Sequence, residues 1–145
     1  MSEILKITGA ANLALHATSY LAVHHDSTPI STTEIAKQFK VSEDHLRKVF
    51  QRLTRAGIVE TVRGPHGGIR LKGKASNISL LNVYEAMEGP LTGTGCLLGC
   101  KKCGYNVCIF GDLFDTVNGQ IREYFSKTLL SSLAKRLSEA DSVKV

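Results

Sequence analysis

The stretch VSEDHLRKVFQRLTRAG, Val41 to Gly57, constrains the fold of this chain more than any other. Leu46, Val49, Phe50 and Leu53 fall at i, i+3, i+4 and i+7, which puts four large apolar side chains on one stripe of a helix. Ser42 is placed to cap that helix, with Glu43 and Asp44 in its electropositive first turn. Val41 and Leu46 occupy the two positions of a hydrophobic staple. Gly57 is placed to end the helix in a left-handed turn. The opposite side carries His45, Arg47, Lys48, Gln51, Arg52 and Arg55. Such a helix must bury its stripe against other elements and leave a basic face uncovered.

Its surroundings read as short helices and one hairpin. The Ala/Leu-rich segment Lys6 to His24 predicts a largely buried helix. STTEIAKQF predicts a second, short helix in which Ser31 and Glu34 form a capping box. After the basic helix, IVETVRGPHGGIRLKG sets β-branched residues on both sides of a Gly/Pro turn, a hairpin signal. A further helix is expected from about Leu80 to Glu88, capped by Ser79 and stopped by Gly89-Pro90. Residues 89–111 hold six of the thirteen glycines and every cysteine, and read as a loop. A long helix follows from about Asp112 to Leu130, with an apolar stripe of Leu113, Phe114, Val117, Ile121, Tyr124 and Phe125. A short final turn, Ser132 to Leu137, leads to a polar tail. The expected architecture is mostly α: a winged helix-turn-helix domain over residues 1–89 with a small β-hairpin wing, a cysteine-rich loop over 90–111, a dimerisation helix and short terminal helix over 112–137, and a tail over 138–145.

Charge adds a functional direction. Residues 1–75 carry eleven Lys/Arg against six Asp/Glu, whereas residues 76–145 carry seven of each. From Arg47 to Lys74 eight basic residues meet a single acid, Glu60. This is the electrostatic footprint of a phosphate-backbone binder; a solvated basic face without a partner is the blander alternative. Helix, turn, basic helix and hairpin is the order in which a recognition helix enters the major groove and a wing reaches beside it. The expected DNA contacts are His45, Arg47, Lys48, Gln51 and Arg52 on the helix, Ser42 and nearby N–H groups at its start, and Arg63, Gly64, His66, Gly67 and Gly68 in the wing. The two glycines after His66 are expected to let main chain approach DNA.

Other classes are disfavoured. No apolar run approaches the ~18 residues of a membrane span. The N-terminus lacks the basic start and long apolar block of a secretory signal, so a cytoplasmic protein is expected. No Ser/His/Asp constellation, phosphate-cradling loop or catalytic carboxylate pair is visible, and no enzymatic activity is expected. His16 on an apolar helix reads first as a core histidine, and His24-His25 as a helix end.

The four cysteines, Cys96, Cys100, Cys103 and Cys108, lie within thirteen residues as C-x3-C-x2-C-x4-C. Such a run in a reducing compartment points to metal or redox chemistry rather than disulfides. Four thiolates suit an iron–sulfur cluster. They equally suit a tetrahedral Zn²⁺. Cys100-Lys-Lys-Cys103 also suits a redox dithiol whose lysines favour the thiolate. Spacing alone leaves these open.

The segments SEDHLRKVFQRLTRAGIVETVRGPHGGIRL, ITGAANLALHA, NVYEAMEG and CIFGDLF together resemble the bacterial IscR/NsrR-type regulators, the Rrf-two family. The resemblance covers about residues 5–137. It implies a homodimeric, cytoplasmic transcription factor, repressor or activator, that binds double-stranded promoter DNA. It further implies a loop holding a [2Fe–2S] or [4Fe–4S] cluster whose state, set by redox, nitric oxide or iron status, changes promoter affinity. By position Cys96, Cys103 and Cys108 match the three family cysteines. Cys100 is additional, and Asn12 stands where some members carry an acidic ligand. The expected ligand set is therefore Cys96, Cys100, Cys103 and Cys108, with His16 as the runner-up fourth ligand. The competing readings are a metal-free thiol redox regulator and an iron–sulfur carrier or electron-transfer protein.

Overall fold

The computed structural model describes residues 5–24, 28–91, 98 and 103–142. It contains the helices α1 (Gly9–Val23), α2 (Thr32–Phe39), α3 (Glu43–Arg55), α4 (Leu80–Glu88), α5 (Leu113–Lys127) and α6 (Leu130–Ser142), with the strands β1 (Val59–Val62) and β2 (Gly68–Leu71) between α3 and α4. The mostly α architecture with a small antiparallel wing agrees with the sequence expectation.

Helix α1 is the hub. Ala11, Ala14, Ala17 and Ala22 are fully buried, and these small side chains let α3, α4 and α6 pack closely around one axis. The helix begins at Gly9 rather than at Lys6. The Thr8 hydroxyl accepts from the Ala11 amide at 3.1 Å, and the Lys6 carbonyl is engaged by the Tyr84 hydroxyl at 3.0 Å.

Helix α3 follows its sequence signature closely. Ser42 accepts from the His45 amide at 3.2 Å. Leu46 and Leu53 are fully buried, with Val49 and Phe50 nearly so. Each such side chain stabilises the fold by roughly 1.5–3 kcal/mol relative to exposure. The helix ends in a Schellman motif: Gly57 has φ +76°, its amide donates to Thr54, and the Ile58 amide donates to Leu53 at 3.0 Å. The turn between α2 and α3 has the same form, but Lys40 stands in the left-handed position at φ +54°. The capping box expected on α2 is half formed. Ser31 accepts from the Glu34 amide, while the Glu34 carboxylate lies near Tyr20. Burial, with this carboxylate adding to it, raises the Tyr20 phenol above its ordinary pKa. The complete capping box is on α4, between Ser79 and Asn82.

The wing is an antiparallel pair with Glu60 opposite Arg70 and Thr61 opposite Ile69. It is fastened to the body by an isolated bridge in which Ile30 and Ile69 exchange amide hydrogen bonds of 2.9 and 2.8 Å.

The C-terminal region departs from expectation. The predicted single helix to Leu130 is broken at Thr128–Leu129. There the backbone pairs with the entry to α4: the Leu80 amide donates to Thr128 and the Leu130 amide to Ile78, at 2.9 and 2.8 Å. The short terminal helix expected up to residue 137 is longer, running on through most of the expected tail as α6, which folds back on α1 and buries Leu130 and Ala134. No described helix is long and apolar enough to cross a membrane.

Candidate nucleic-acid interface and cysteine site

The solvent side of α3 is set by the burial of its other side. With the Leu/Val/Phe stripe inward, Lys48, Gln51 and Arg55 run down the exposed face at i, i+3 and i+7. Arg47 lies beside them and pairs with Glu43 at 3.1 Å and Asp44 at 3.4 Å. These are exposed pairs of little stabilising value, so a stronger anion can displace them. His45 and Ser42 sit at the helix entrance, with the Ser42 oxygen occupied as the cap.

Arg52 has another engagement. Its guanidinium donates to the Met87 carbonyl in the last turn of α4. That bond satisfies an orphan helix carbonyl and sets a cation at the negative end of α4. Arg52 thus joins α3 to α4, a role the basic pattern alone did not disclose.

Between α3 and the wing runs a groove of about 550 Å³ lined by Thr32, Arg47, Gln51, Thr54, Arg55 and Thr61, among others. Arg55, Thr32 and Thr61 were missing from the contacts expected from sequence. Arg55 continues the spacing of Lys48 and Gln51, so its periodicity carried the signal. Thr32 and Thr61 are brought in by the tertiary fold alone.

At the wing tip, Gly64-Pro65-His66-Gly67 closes a turn in which the Gly67 amide donates to Gly64 at 3.0 Å. Proline at the second position presets this turn. Arg63, Gly64 and His66 are exposed. The two glycines that follow answer to the protein's own backbone. A Cβ at Gly67 would come within 2.1 Å of the Val62 carbonyl oxygen, and one at Gly68 within 2.3 Å of that of Ile30. This internal crowding explains both glycines without any DNA approach.

Of the four cysteines, Cys96 and Cys100 lie outside the described residues. Cys103 is half-buried and Cys108 exposed, and both are free thiols. A turn from Cys108 to Gly111, closed at 3.0 Å with Gly111 at φ +58°, sets Cys108 just ahead of α5. Among the described residues no group of three or more His, Cys, Asp or Glu side chains is placed to hold a metal ion. His16 is exposed on α1 with Nδ1 at 2.8 Å from the Asn12 carbonyl, and Asn12 is also exposed. The expectation of a core histidine is corrected: α1 buries its alanine face and turns His16 outward.

Helix α5 is unlike the others, since Asn118 is its one buried residue. One edge is tied to α4, where Arg122 donates to the Leu91 carbonyl and pairs with Glu85 at 3.7 Å. Along the other edge Leu113 and Tyr124 remain about half exposed, at 52% and 51%, and Ile109 before the helix is 79% exposed.

A capped basic helix presented by a three-helix body, beside a hairpin wing, defines a winged helix-turn-helix DNA-binding protein. Residues 7–136 match the model of the Rrf2 family, described as iron-dependent transcriptional regulators, and the chain belongs to that family. Among its relatives is the HTH-type transcriptional regulator IscR of Vibrio atlanticus, 28% identical over 131 residues, covering 90% of this chain and 76% of the relative. The structure of CymR, the global cysteine regulator of B. subtilis, superposes with a TM-score of 0.79 at 26% identity, over 91% of this chain and 98% of that one. IscR of T. potens shares the fold, with a TM-score of 0.74 at 24% identity over 97% and 92% of the two chains. These relatives are transcriptional regulators, not enzymes.

Proposed function

We propose that this transcriptional regulator binds promoter DNA as a homodimer and that an iron–sulfur cluster held by its cysteine segment controls the binding. The observation that carries the reading is the placement of the Cys108 thiol, free and exposed, at the entrance of a helix whose apolar edge is uncovered. That edge, Leu113 to Tyr124, suits a second copy of the chain. A two-fold pairing then presents two α3 helices to a roughly palindromic operator.

Lys48, Gln51 and Arg55 are the proposed groove-facing residues of α3. His45 and Arg47 flank them, and Ser42 with the first amides of α3 suits a phosphate. Arg63, Gly64 and His66 are the proposed wing contacts. Arg52 acts at the α3–α4 junction, and Gly67 and Gly68 shape the wing root.

The chemistry of the donor set fits a cluster. Cys103 and Cys108 are unpaired thiols, and Cys96 and Cys100 are near them in sequence. The four would hold the cluster within one protomer. When bound, it would supply a redox- and nitric-oxide-reactive centre. The protein's part is to set those thiols in a glycine-rich segment that leads directly into α5. Control requires that cluster binding favour one arrangement of the DNA-bound dimer over another.

The test is anaerobic purification with iron and sulfide counts, an absorption spectrum, and operator titration of holo and apo forms. The expected result is a coloured protein whose chromophore is lost in Cys108→Ala and whose promoter affinity differs between the forms. A colourless, iron-free protein that responds to thiol oxidants supports the metal-free thiol regulator instead. Equal promoter affinity with and without a cluster defeats the sensing mechanism. Iron and sulfide with no promoter affinity at low salt would identify a carrier.

A further inference from the structure

In the wing Glu60 and Arg70 stand opposite each other, and beside them opens a cavity of about 560 Å³. That volume falls within the range of small-molecule sites. Half-buried Leu71 of β2 lines it, with the nearly fully buried Leu21 of α1 and Ile69 of β2 beneath. The rim is basic. Arg70 is bound to Glu60 at 2.7 Å, which neutralises one charge and leaves further guanidinium N–H donors. Lys72 and Lys74 also line the cavity, and among the described residues neither forms an ion pair. Ser131, at the start of α6, supplies a hydroxyl from the far wall.

We propose that this cavity is an effector site for a small organic anion, one with a phosphate or carboxylate head and a compact apolar body. Two unpaired ammonium groups over an aliphatic floor are matched by a molecule that is charged at one end and apolar at the other. A solvated basic patch would have no need of the floor, and a purely apolar ligand would leave the lysines unused.

The position gives such a ligand leverage. It touches the wing, the C-terminal end of α1 and the first turn of α6 together. Ile69, in the lining of the cavity, also lines the groove beside α3. Filling the cavity therefore biases the angle of the wing against the recognition helix, and DNA affinity and ligand affinity must change reciprocally. The inference rests on the wing geometry and is independent of any cluster.

The test uses phenyl phosphate as head plus body, inorganic phosphate as head alone and benzyl alcohol as body alone. Each is titrated into the full-length protein without DNA and followed by amide NMR. The expected result is saturable shifts of the Gly73, Ser76 and Ser131 amides with phenyl phosphate, and weaker binding of either fragment. Lys72→Gln with Lys74→Gln should weaken phenyl phosphate by roughly tenfold or more, the scale of a lost charge-assisted hydrogen bond. The same variant should keep the ligand-free DNA salt slope, since neither lysine is among the proposed groove or wing contacts. Shifts confined to α3 would place the anion on the DNA-facing side and overturn the proposal. So would a reduced DNA salt slope in the double variant, which would make the two lysines DNA contacts. Absence of saturation at about 10 mM, a free energy weaker than roughly 3 kcal/mol, would also overturn it.

Discussion

Replacing Gly68 by alanine should detach the wing from the helical body without touching a single proposed DNA contact. The new Cβ would lie 2.3 Å from the Ile30 carbonyl oxygen, 2.4 Å from its carbon and 2.8 Å from the Ser31 nitrogen. All three are main-chain atoms, so no side chain can swing away. Restoring an ordinary contact requires a displacement on the order of 1 Å. The Ile30–Ile69 bridge cannot survive that movement, because its hydrogen bonds are 2.9 and 2.8 Å long. Two backbone hydrogen bonds at about 1 kcal/mol each, with part of the cost of leaving the groups unpaired, give a loss of about 2–4 kcal/mol. For a domain of this size the melting temperature should fall by about 10 °C. Gly73→Ala is the control, since a Cβ there meets nothing within 4 Å. It should be neutral or stabilise slightly, by about 0.4–1 kcal/mol. Urea denaturation of both variants, with DNA titration well below the melting temperature, reads the two effects separately. Gly68→Ala should lose wing contacts to DNA even while folded. If its unfolding midpoint matches that of Gly73→Ala, the bridge does not fasten the wing and the argument from backbone crowding is wrong.

Arg55→Ala should weaken promoter binding and lower the salt slope by about 1, as expected of one phosphate contact. Arg52→Ala should cost about 1–2 kcal/mol of stability with an unchanged slope; titration at several salt concentrations, with denaturation in parallel, separates the two. Leu113→Glu should weaken self-association by at least about thirtyfold, since a two-fold interface counts each lost apolar contact twice, at about 1 kcal/mol per copy; sedimentation velocity checks this, and an undisturbed dimer would move the interface elsewhere. Lys40→Gly should stabilise the protein by about 0.5–1 kcal/mol in urea denaturation, because Lys40 holds the left-handed turn at φ +54° against its Cβ.

The parts of this fold that follow a local code are readable from residues alone. Helix α3 is specified redundantly by its cap, stripe and terminal glycine, and each of these holds in the structure. The hairpin is marked by β-branched runs around a Gly/Pro turn. What escaped is what depends on tertiary pairing. The break at Thr128–Leu129 has no local breaker; it exists because that backbone pairs with Ile78–Ser79. The full length of helix α6 is not legible because its apolar residues, Leu130, Leu133, Ala134 and Leu137, are few and its end is polar. Its stability comes from the face it lays on α1. On the exposed face of α3, helical period alone places Lys48, Gln51 and Arg55 together. The diversion of Arg52 to Met87 required knowing where α4 ends.

That diversion suggests how the cysteine segment and the recognition helix are mechanically joined. Helix α5 begins just after Cys108 and is tied by Arg122 to Glu85 and to the Leu91 carbonyl. The final turn of α4 between those two points contains Met87, whose carbonyl receives Arg52 from α3. One arginine from α3 and one from α5 thus hold the C-terminal end of α4 and the residues just after it, and in the proposed control a shift of α5 would reach α3 through them. Physical proximity alone does not establish coupling; a double-mutant cycle does. Arg52→Ala, Arg122→Ala and the double variant should be compared in the difference of promoter affinity between cluster-loaded and cluster-free protein. If the α4 turn carries the signal, each single substitution should shrink that difference, and the double should shrink it hardly further, leaving an interaction energy of about 0.5–2 kcal/mol. Strictly additive effects would show that α3 senses α5 by another route, such as a change in the spacing of the two protomers.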